Sequence, residues 1–210
     1  MQGQTARREK IALFNGKDMS GWHQRNGEPA AWKVEDGVMT AGGGDILSQE
    51  TFTDAIVHVE FRTPDMPEAT GQHKGNSGVF VQGRYEIQVL DSYGWAVLGL
   101  GDCGAIYNQV SPLVNACKPP LEWQSYDVIF RAPRVDEAGQ VVEPVRMTVL
   151  QNGLVIHNNI EISGPTGAAI NDKVGEPGPL LLQDHGDPVQ YRNVWMVHLP
   201  LTGSDEYGPQ

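Results

Sequence analysis

The sequence predicts an all-β fold, a single-domain antiparallel β-sandwich of the jelly-roll type. Most apolar runs are short, 25 glycines and 14 prolines supply many turns, and ten or more strand-like segments follow one another. Short strands at such spacing are typical of sandwiches and barrels. A chain of 210 residues can bury a sizeable core without metals or disulfides. We expect the domain over residues 11–200, with a disordered leader at 1–10 and a tail at 201–210.

Strand-like segments in the first part of the chain are separated by recognisable turns. Residues 11–22 begin with a short apolar strand, and residues 31–40 form a hairpin around Asp36-Gly37, a favoured two-residue turn. Residues 46–48 follow a run of three glycines. Residues 55–62 alternate between apolar and polar side chains, as a strand with one buried face does.

The next two strands form a hairpin that carries an acid and an amide where apolar residues would be easier to place. Gly83-Arg84 suits a two-residue turn with glycine first, and this register pairs Phe80 with Ile87 on the core face. Glu86 and Gln88 then share the opposite face, because side chains two residues apart in a strand point the same way. Such a face is either a wet surface or the floor of a ligand site. A one-residue slip would reverse this assignment of the core and non-core faces.

The second part of the chain begins with a long segment that has no strand pattern, residues 93–120. Long irregular segments in compact domains are often binding or lid loops. Five strands are predicted after it, with turns at Asn152-Gly153 and at 186–188. These strands are expected at 123–131, 145–151, 154–158, 180–185 and 189–197.

Composition excludes several classes of function. The formal net charge of −11 argues against binding to nucleic acids or anionic membranes, which requires clustered Lys and Arg. No run of about 20 apolar residues could span a bilayer, and the polar first ten residues lack the hydrophobic core of a signal peptide. Cys103 and Cys117 either form a disulfide or are two buried thiols, and their spacing does not indicate a zinc site.

Carboxylates and one histidine are the candidates for catalysis. A pair of carboxylates across a groove could work as acid and base, although each could equally lie on a solvated face or cap a turn. Glu86 is favoured because Gln88 shares its face. The carboxylates next to strand patterns are Glu60, Glu86, Asp91 and Asp102. His185 follows an apolar strand, near Gln183 and ahead of Arg192, and could be a base, a metal ligand or a turn-stabilising residue.

Other polar and aromatic residues give weaker signals. Four other histidines are expected at the surface, namely His58, His73, His157 and His198. Trp95, in the long irregular segment, is the best candidate for stacking on a sugar, whereas Trp32, Trp123 and Trp195 are expected in the core. No Gly-x-Ser-x-Gly motif, phosphate loop or Cys-x-x-Cys motif is present. Serine or cysteine nucleophiles are therefore not indicated.

Ten short motifs, in their order and spacing, resemble the 3-keto-disaccharide hydrolase domain family, bacterial proteins with a concanavalin A-like jelly-roll fold. The resemblance extends over about residues 11–199. Its motifs are at 13–16, 21–22, 32–37, 75–79, 85–92, 104–107, 123–127, 152–153, 182–186 and 191–193.

The resemblance implies a substrate oxidised to a ketone at C3 of the sugar. This ketone acidifies the C2 hydrogen, so that a base can remove it and the enediolate can expel the glycosidic oxygen, with or without later addition of water. Such a site needs a base, a group that stabilises the oxyanion and a proton donor. From residue chemistry, His185 or Glu86 is the base, and Tyr107 is the acid. Gln88, Asn76 and Arg192 orient hydroxyls or stabilise the enediolate.

Several alternatives stay open at the level of sequence. A divalent cation would fit enediolate stabilisation, but the sequence identifies none. A non-catalytic carbohydrate-binding module and a conventional glycosidase with Glu86 and a second carboxylate are competing functions, since the fold alone does not fix function. The resemblance implies a periplasmic or secreted bacterial protein, whereas the first ten residues are equally compatible with a cytoplasmic one.

Overall fold

The computed structural model of the protein describes residues 9–200. It confirms the predicted fold class, because antiparallel strands form two facing sheets, and a single 3-10 turn, Gly71–His73, is the only helical element among these residues. The predicted tail, and the predicted leader apart from its last two residues, lie outside the described part. No helix within 9–200 is long and apolar enough to cross a membrane.

Residues 9–200 form fifteen strands. In chain order they are β1 (Ile11–Ala12), β2 (Trp22–Gln24), β3 (Lys33–Glu35), β4 (Val38–Thr40), β5 (Ile46–Phe52), β6 (Ala55–Arg62), β7 (Ser77–Val81), β8 (Tyr85–Val89), β9 (Gln124–Arg131), β10 (Arg134–Val135), β11 (Val141–Glu143), β12 (Arg146–Gln151), β13 (Leu154–Glu161), β14 (Gly178–Leu182) and β15 (Gln190–His198).

Two large sheets enclose the core. The larger sheet has the order β13-β12-β9-β6-β15-β4-β3, with β1 also paired to β15, and the smaller has the order β2-β5-β14-β7-β8. The ribbon β10-β11 stands apart from both. Fully buried side chains from both sheets, such as Val57 and Tyr126 on one side and Val79 and Ile87 on the other, form one apolar cluster. Each large sheet therefore has one face in the core and one face outside it.

Two of the predicted hairpin turns are confirmed by their backbone angles. Asp36 and Gly37 have φ values of 52° and 79°, and Asn152 and Gly153 have φ values of 54° and 81°. Two consecutive left-handed residues match the right-handed twist of the flanking strands, which is why Asp-Gly and Asn-Gly are favoured here.

The predicted register of the β7–β8 hairpin is wrong by one residue. Val79 pairs with Ile87, and Phe80 pairs with Glu86, because the connection contains three residues, Gln82–Arg84, instead of two. Phe80 therefore lies on the same face as Glu86. The predicted faces hold for β8, where Ile87 is in the core and Glu86 is on the outer face, but they are reversed for β7, where Val79 is in the core and Phe80 is not.

Arg84 explains the longer connection. Its side chain is buried, and its Nε donates to Asn171 Oδ1 at 2.9 Å while its Nη1 donates to the Glu176 carbonyl oxygen at 2.9 Å. A residue anchored in this way to a distant loop is not available as the second residue of an exposed two-residue turn. Tertiary contacts thus override the local preference for Gly83-Arg84.

Some expectations about burial are corrected. Trp32 is in the core as predicted, but Trp123 and Trp195 are half-buried and carry cationic groups over their rings. His157, expected at the surface, is buried, its Nε2 is 2.7 Å from the Gly104 carbonyl oxygen, and burial lowers its pKa.

The two cysteines are free thiols in this structure. Cys103 is buried and Cys117 half-buried, and Gln151 Nε2 lies 3.4 and 3.6 Å from their sulfurs.

Candidate active site on the outer face of the smaller sheet

Glu86 lies on an edge strand whose free side is covered by two segments. The carbonyl oxygen of Glu86 accepts a hydrogen bond from Tyr107 N at 3.2 Å, and its amide donates to Thr166 Oγ1 at 3.0 Å. Residues 104–107 continue the sheet beyond β8 through bonds between Gln88 and both Gly104 and Ala105. The long irregular segment thereby borders the outer face, and we call its residues 101–107 the wall of the site.

The carboxyl group of Glu86 is almost completely buried, with 3% of the residue exposed. It lies over Gly78 on the neighbouring strand, where a Cβ atom would stand 2.7 Å from Glu86 Oε1. No side chain or amide among residues 9–200 donates a hydrogen bond to this carboxyl group. Burial and, to a smaller extent, the negative charge of Asp45 together raise the pKa of Glu86 to about 8.

Apolar side chains supply the desolvation. Leu47, Phe80 and Leu181 form a second, small buried cluster outside the main core, with Ile170 packed against it. Phe80 is paired directly with Glu86. An acid surrounded by such groups favours its neutral form, because water no longer solvates the charged one.

Asp45 is the carboxylate that acts on Glu86 electrostatically, but its own oxygens are occupied. Arg25 Nε donates to Asp45 Oδ2 at 2.7 Å, and the amide of Asp184 donates to Asp45 Oδ1 at 2.9 Å. Arg25 also donates to the Ala168 carbonyl oxygen. Asp45 is therefore held as an ion pair at the side of the site.

Gln88 and Asn76, both predicted for the site, belong to a buried chain of amides. Gln88 Nε2 donates to Asn76 Oδ1 at 3.1 Å and to Gln72 Oε1 at 3.3 Å. Asn76 Nδ2 donates to the Gln72 carbonyl oxygen at 2.7 Å. Gln88 Oε1 is buried and has no hydrogen-bond partner. Gln88 Oε1 is thus an acceptor without a donor, and it belongs to a side chain on the same outer face as Glu86.

Tyr107 shares the face of Glu86. Ile106 bridges to Ile87 and is fully buried in the core, so the side chain of the next residue points to the outer face. The Tyr107 ring lies next to Gly101, where a Cβ would be 3.7 Å from Cε2. Its hydroxyl makes no hydrogen bond within the described residues, so it is free to meet a ligand.

Gln183 and His185 follow β14 at the rim of the same face. The amide of Gln183 donates to the Gly78 carbonyl oxygen at 3.0 Å, which places Gln183 beside β7. His185 is exposed, and its ring forms neither a hydrogen bond nor an ion pair with residues 9–200.

Asp102 and Trp95 make contacts that stabilise the fold. Asp102 Oδ2 accepts from the amide of Gly99 and closes a turn in the irregular segment. Trp95 is half-buried and packs against the main core, which leaves less of its ring for stacking on a sugar. The capping role that the sequence left open therefore applies to Asp102.

The structure does not bring Glu60 and Arg192, both predicted for the site, together with Glu86. They lie on the outer face of the larger sheet, because Tyr191, next to Arg192, is fully buried in the core. Both sheets and the core separate them from Glu86. Arg192 Nε donates to Glu60 Oε2 at 2.6 Å, and its guanidinium lies 4.0 Å from the Trp123 ring centre.

A groove with a volume of about 360 Å³ also lies on that opposite face. Arg62, Gln190 and Thr40 line it, and Gln190 accepts a hydrogen bond from Arg62 and donates one to Thr40. We place the candidate site at Glu86 instead, because buried and unpaired functional groups occur there.

A divalent cation finds no ready-made ligand set. Within residues 9–200, no group of three or more His, Cys, Asp and Glu side chains is arranged to hold a metal ion. Asp45, whose negative charge raises the pKa of Glu86, already forms an ion pair with Arg25. We assign no step to a metal.

Three contributors were missed by the sequence: Gln72, Asp45 and Thr166. Gln72 lies in a polar loop with many similar residues, and Thr166 lies in a Gly- and Pro-containing segment that resembles a linker. Asp45 follows three glycines, which are a weak signal of a backbone bend.

Comparison with known families assigns this β-sandwich to a class of proteins. Residues 9–197 match the family described as 3-keto-alpha-glucoside-1,2-lyase-like domains, and the chain belongs to this family. Comparison with curated proteins finds no match.

Solved structures agree with this assignment. A crystal structure from Parabacteroides distasonis ATCC 8503, provisionally named a glycosyl hydrolase, is 40% identical, with 90% of this chain and 84% of that chain covered and a TM-score of 0.83. A second from the same organism, with the same provisional name, is 23% identical, covers 91% and 94% of the two chains and has a TM-score of 0.68. A third is 20% identical, with 91% and 100% covered and a TM-score of 0.63. The last two support the fold alone.

Proposed function

We propose that the protein cleaves the glycosidic bond of 3-keto-glycosides by removing the C2 proton and eliminating the C1 oxygen. The observation that carries the proposal is the buried Glu86 carboxyl group, whose pKa is raised to about 8. A general base works best when its pKa is close to the working pH. The family assignment supports a sugar substrate.

The reaction starts with transfer of the C2 proton to Glu86, and the electron pair of that C–H bond moves onto the C3 oxygen as an enediolate. The enediolate then forms the C1–C2 double bond and expels the C1 oxygen, which takes a proton from Tyr107. An unsaturated keto sugar and an alcohol result.

Addition of water turns this elimination into net hydrolysis. The hydroxyl of water bonds to C1, Glu86 returns its proton to C2, and the second water proton restores Tyr107. Whether this second stage follows determines whether the protein is a lyase or a net hydrolase.

The polar neighbours orient the sugar. Gln88 has only its Oε1 acceptor available, so it binds a hydroxyl and does not stabilise the enediolate. Asn76 is occupied by Gln88 and Gln72 and supports them. His185 and Gln183 contact the substrate from the rim.

The test is incubation with a 3-keto-glucoside and with its unoxidised parent, followed by product analysis. We expect cleavage of the keto sugar alone and a loss of at least about a hundredfold in Glu86→Gln, because a positioned base contributes roughly 10²–10⁴-fold. Glu60→Gln, on the opposite face, is the matched control and should keep its activity. Binding without turnover would instead identify a carbohydrate-binding module.

Asp45 favours a second candidate, a conventional glycosidase. A neutral Glu86 could be the acid and an ionised Asp45 its partner, as two carboxyl groups in different environments can be. Asp45→Asn separates the two functions. The keto-sugar reaction should continue, with a lower pKa of Glu86 because a neighbouring negative charge is gone, whereas a two-carboxylate hydrolysis of the parent sugar would stop.

A further inference from the structure

Gln72 joins three segments of the site. Its backbone carbonyl oxygen accepts from Asn76 Nδ2, its side-chain Nε2 donates to the Gly101 carbonyl oxygen at 2.8 Å, and its Oε1 accepts from Gln88 Nε2 at 3.3 Å. One half-buried side chain thus connects the loop before β7, the floor of the site and the irregular wall that carries Tyr107.

Two backbone carbonyl groups fix the direction of the amide chain, because a carbonyl oxygen can only accept. The Gly101 carbonyl oxygen orients Gln72 with its nitrogen toward the wall and its oxygen toward Gln88. The Gln72 carbonyl oxygen orients Asn76 with its oxygen toward Gln88. Gln88 therefore meets two acceptors and must turn its nitrogen to both of them.

The consequence is that Gln88 Oε1 points away from its partners as a buried acceptor without a donor. A buried polar atom of this kind is costly unless a ligand or a water satisfies it. Gln88 is only 1% exposed and shares the outer face of β8 with Glu86.

We infer that Gln72 is a positioning residue that, together with Asn76, fixes Gln88 Oε1 as the acceptor of a substrate hydroxyl and also holds residues 101–107 against the outer face of the smaller sheet. This inference rests on the proposed function for the identity of the ligand, a sugar. It predicts that the site selects a sugar with a hydroxyl donor at one ring position and discriminates against the corresponding deoxy sugar.

The first measurement is amide hydrogen exchange of residues 99–107 in Gln72→Ala. We expect exchange about tenfold faster than in the wild-type protein, because the bond to Gly101 is lost. His73→Ala is the matched control, since His73 is exposed and its ring makes no hydrogen bond within the described residues. Equal exchange in Gln72→Ala and the wild type overturns the inference about the wall.

The second measurement is the ratio of dissociation constants for a 3-keto-glucoside and its 4-deoxy and 6-deoxy analogues, in the Glu86→Gln background. One analogue should bind about tenfold or more weakly, since an unfilled buried acceptor is costly. Adding Gln72→Ala should reduce that ratio to about threefold or less, and adding His73→Ala should leave it unchanged. A ratio near one in the background, or one that Gln72→Ala does not change, contradicts the proposed role.

These readouts do not depend on turnover. Unchanged activity in Glu86→Gln would refute the proposed reaction, while the binding ratios would still decide the role of Gln72. Conversely, if Glu86→Gln loses activity but Gln72→Ala does not change the ratio of dissociation constants, the proposed reaction is supported and the proposed role of Gln72 is refuted.

Discussion

The carboxyl group of Glu86 occupies the space that a side chain at Gly78 would need. A Cβ atom there would stand 2.7 Å from Glu86 Oε1 and 2.7 Å from Phe80 Cε2, closer than such atoms approach in proteins. The glycine of the Asn-Ser-Gly sequence therefore makes room for the acid on the neighbouring strand. Its importance is steric, since its backbone is ordinary extended strand.

Gly78→Ala should displace the Glu86 carboxyl group and reduce activity on the keto sugar at least tenfold, because misplacement of a reacting group by about 1 Å has large effects. Overpacking should also lower the free energy of unfolding by about 1–3 kcal/mol. Gly42→Ala is the matched control, since an added Cβ there has no neighbour within 4 Å. Full activity in a folded Gly78→Ala protein would contradict this account.

The pH dependence of the reaction should follow the deprotonation of Glu86. Because the pKa of Glu86 is raised to about 8, kcat/KM should rise about tenfold per pH unit below that value and level off above it. A pH–rate profile with a 3-keto-glucoside measures this. A rate that falls as pH rises through 8 would show that Glu86 acts as a proton donor instead.

The pH dependence of stability should also report Glu86. Between pH 4.5 and about 8 the folded protein keeps a proton that the unfolded chain has released, so this group makes the fold less stable as pH rises. Denaturation measures the free energy of unfolding at pH 5 and at pH 9. Its decrease between these two pH values should be larger in the wild type than in Glu86→Gln by about 2–4 kcal/mol. Identical losses in the two proteins would mean that the pKa of Glu86 is not raised.

Arg192→Ala should leave activity within about twofold of the wild type. Arg192 pairs with Glu60 and lies over Trp123 on the opposite face of the sandwich. Its half-exposed ion pair contributes little to stability, about 0–1 kcal/mol. The same kinetic assay checks this, and a large loss of activity would place part of the site on the larger sheet.

Local sequence was sufficient for the features that local physics controls. Asp36-Gly37 and Asn152-Gly153 specify their turns by themselves, and strict alternation in 55–62 identifies a strand with one buried face. That Glu86 and Gln88 share one face also follows from alternation, whichever register is chosen.

Features that depend on distant segments could not be read in the same way. The register of the β7–β8 hairpin depends on Asn171 and Glu176, which hold Arg84 more than 80 residues later in the chain. Arg192 seemed close to His185 because both belong to the closing hairpin, but β14 and β15 enter different sheets. Sequence proximity across a turn therefore did not mean a shared face.

The covering of β8 has a consequence beyond catalysis. An uncovered edge strand offers its unpaired amides and carbonyl groups to other chains, which is a common cause of aggregation. Residues 104–107 and Thr166 occupy these groups on the strand that carries Glu86. Mutations that open the wall to admit larger substrates should therefore also make the protein less soluble, so that substrate range and solubility are coupled through the same few backbone hydrogen bonds.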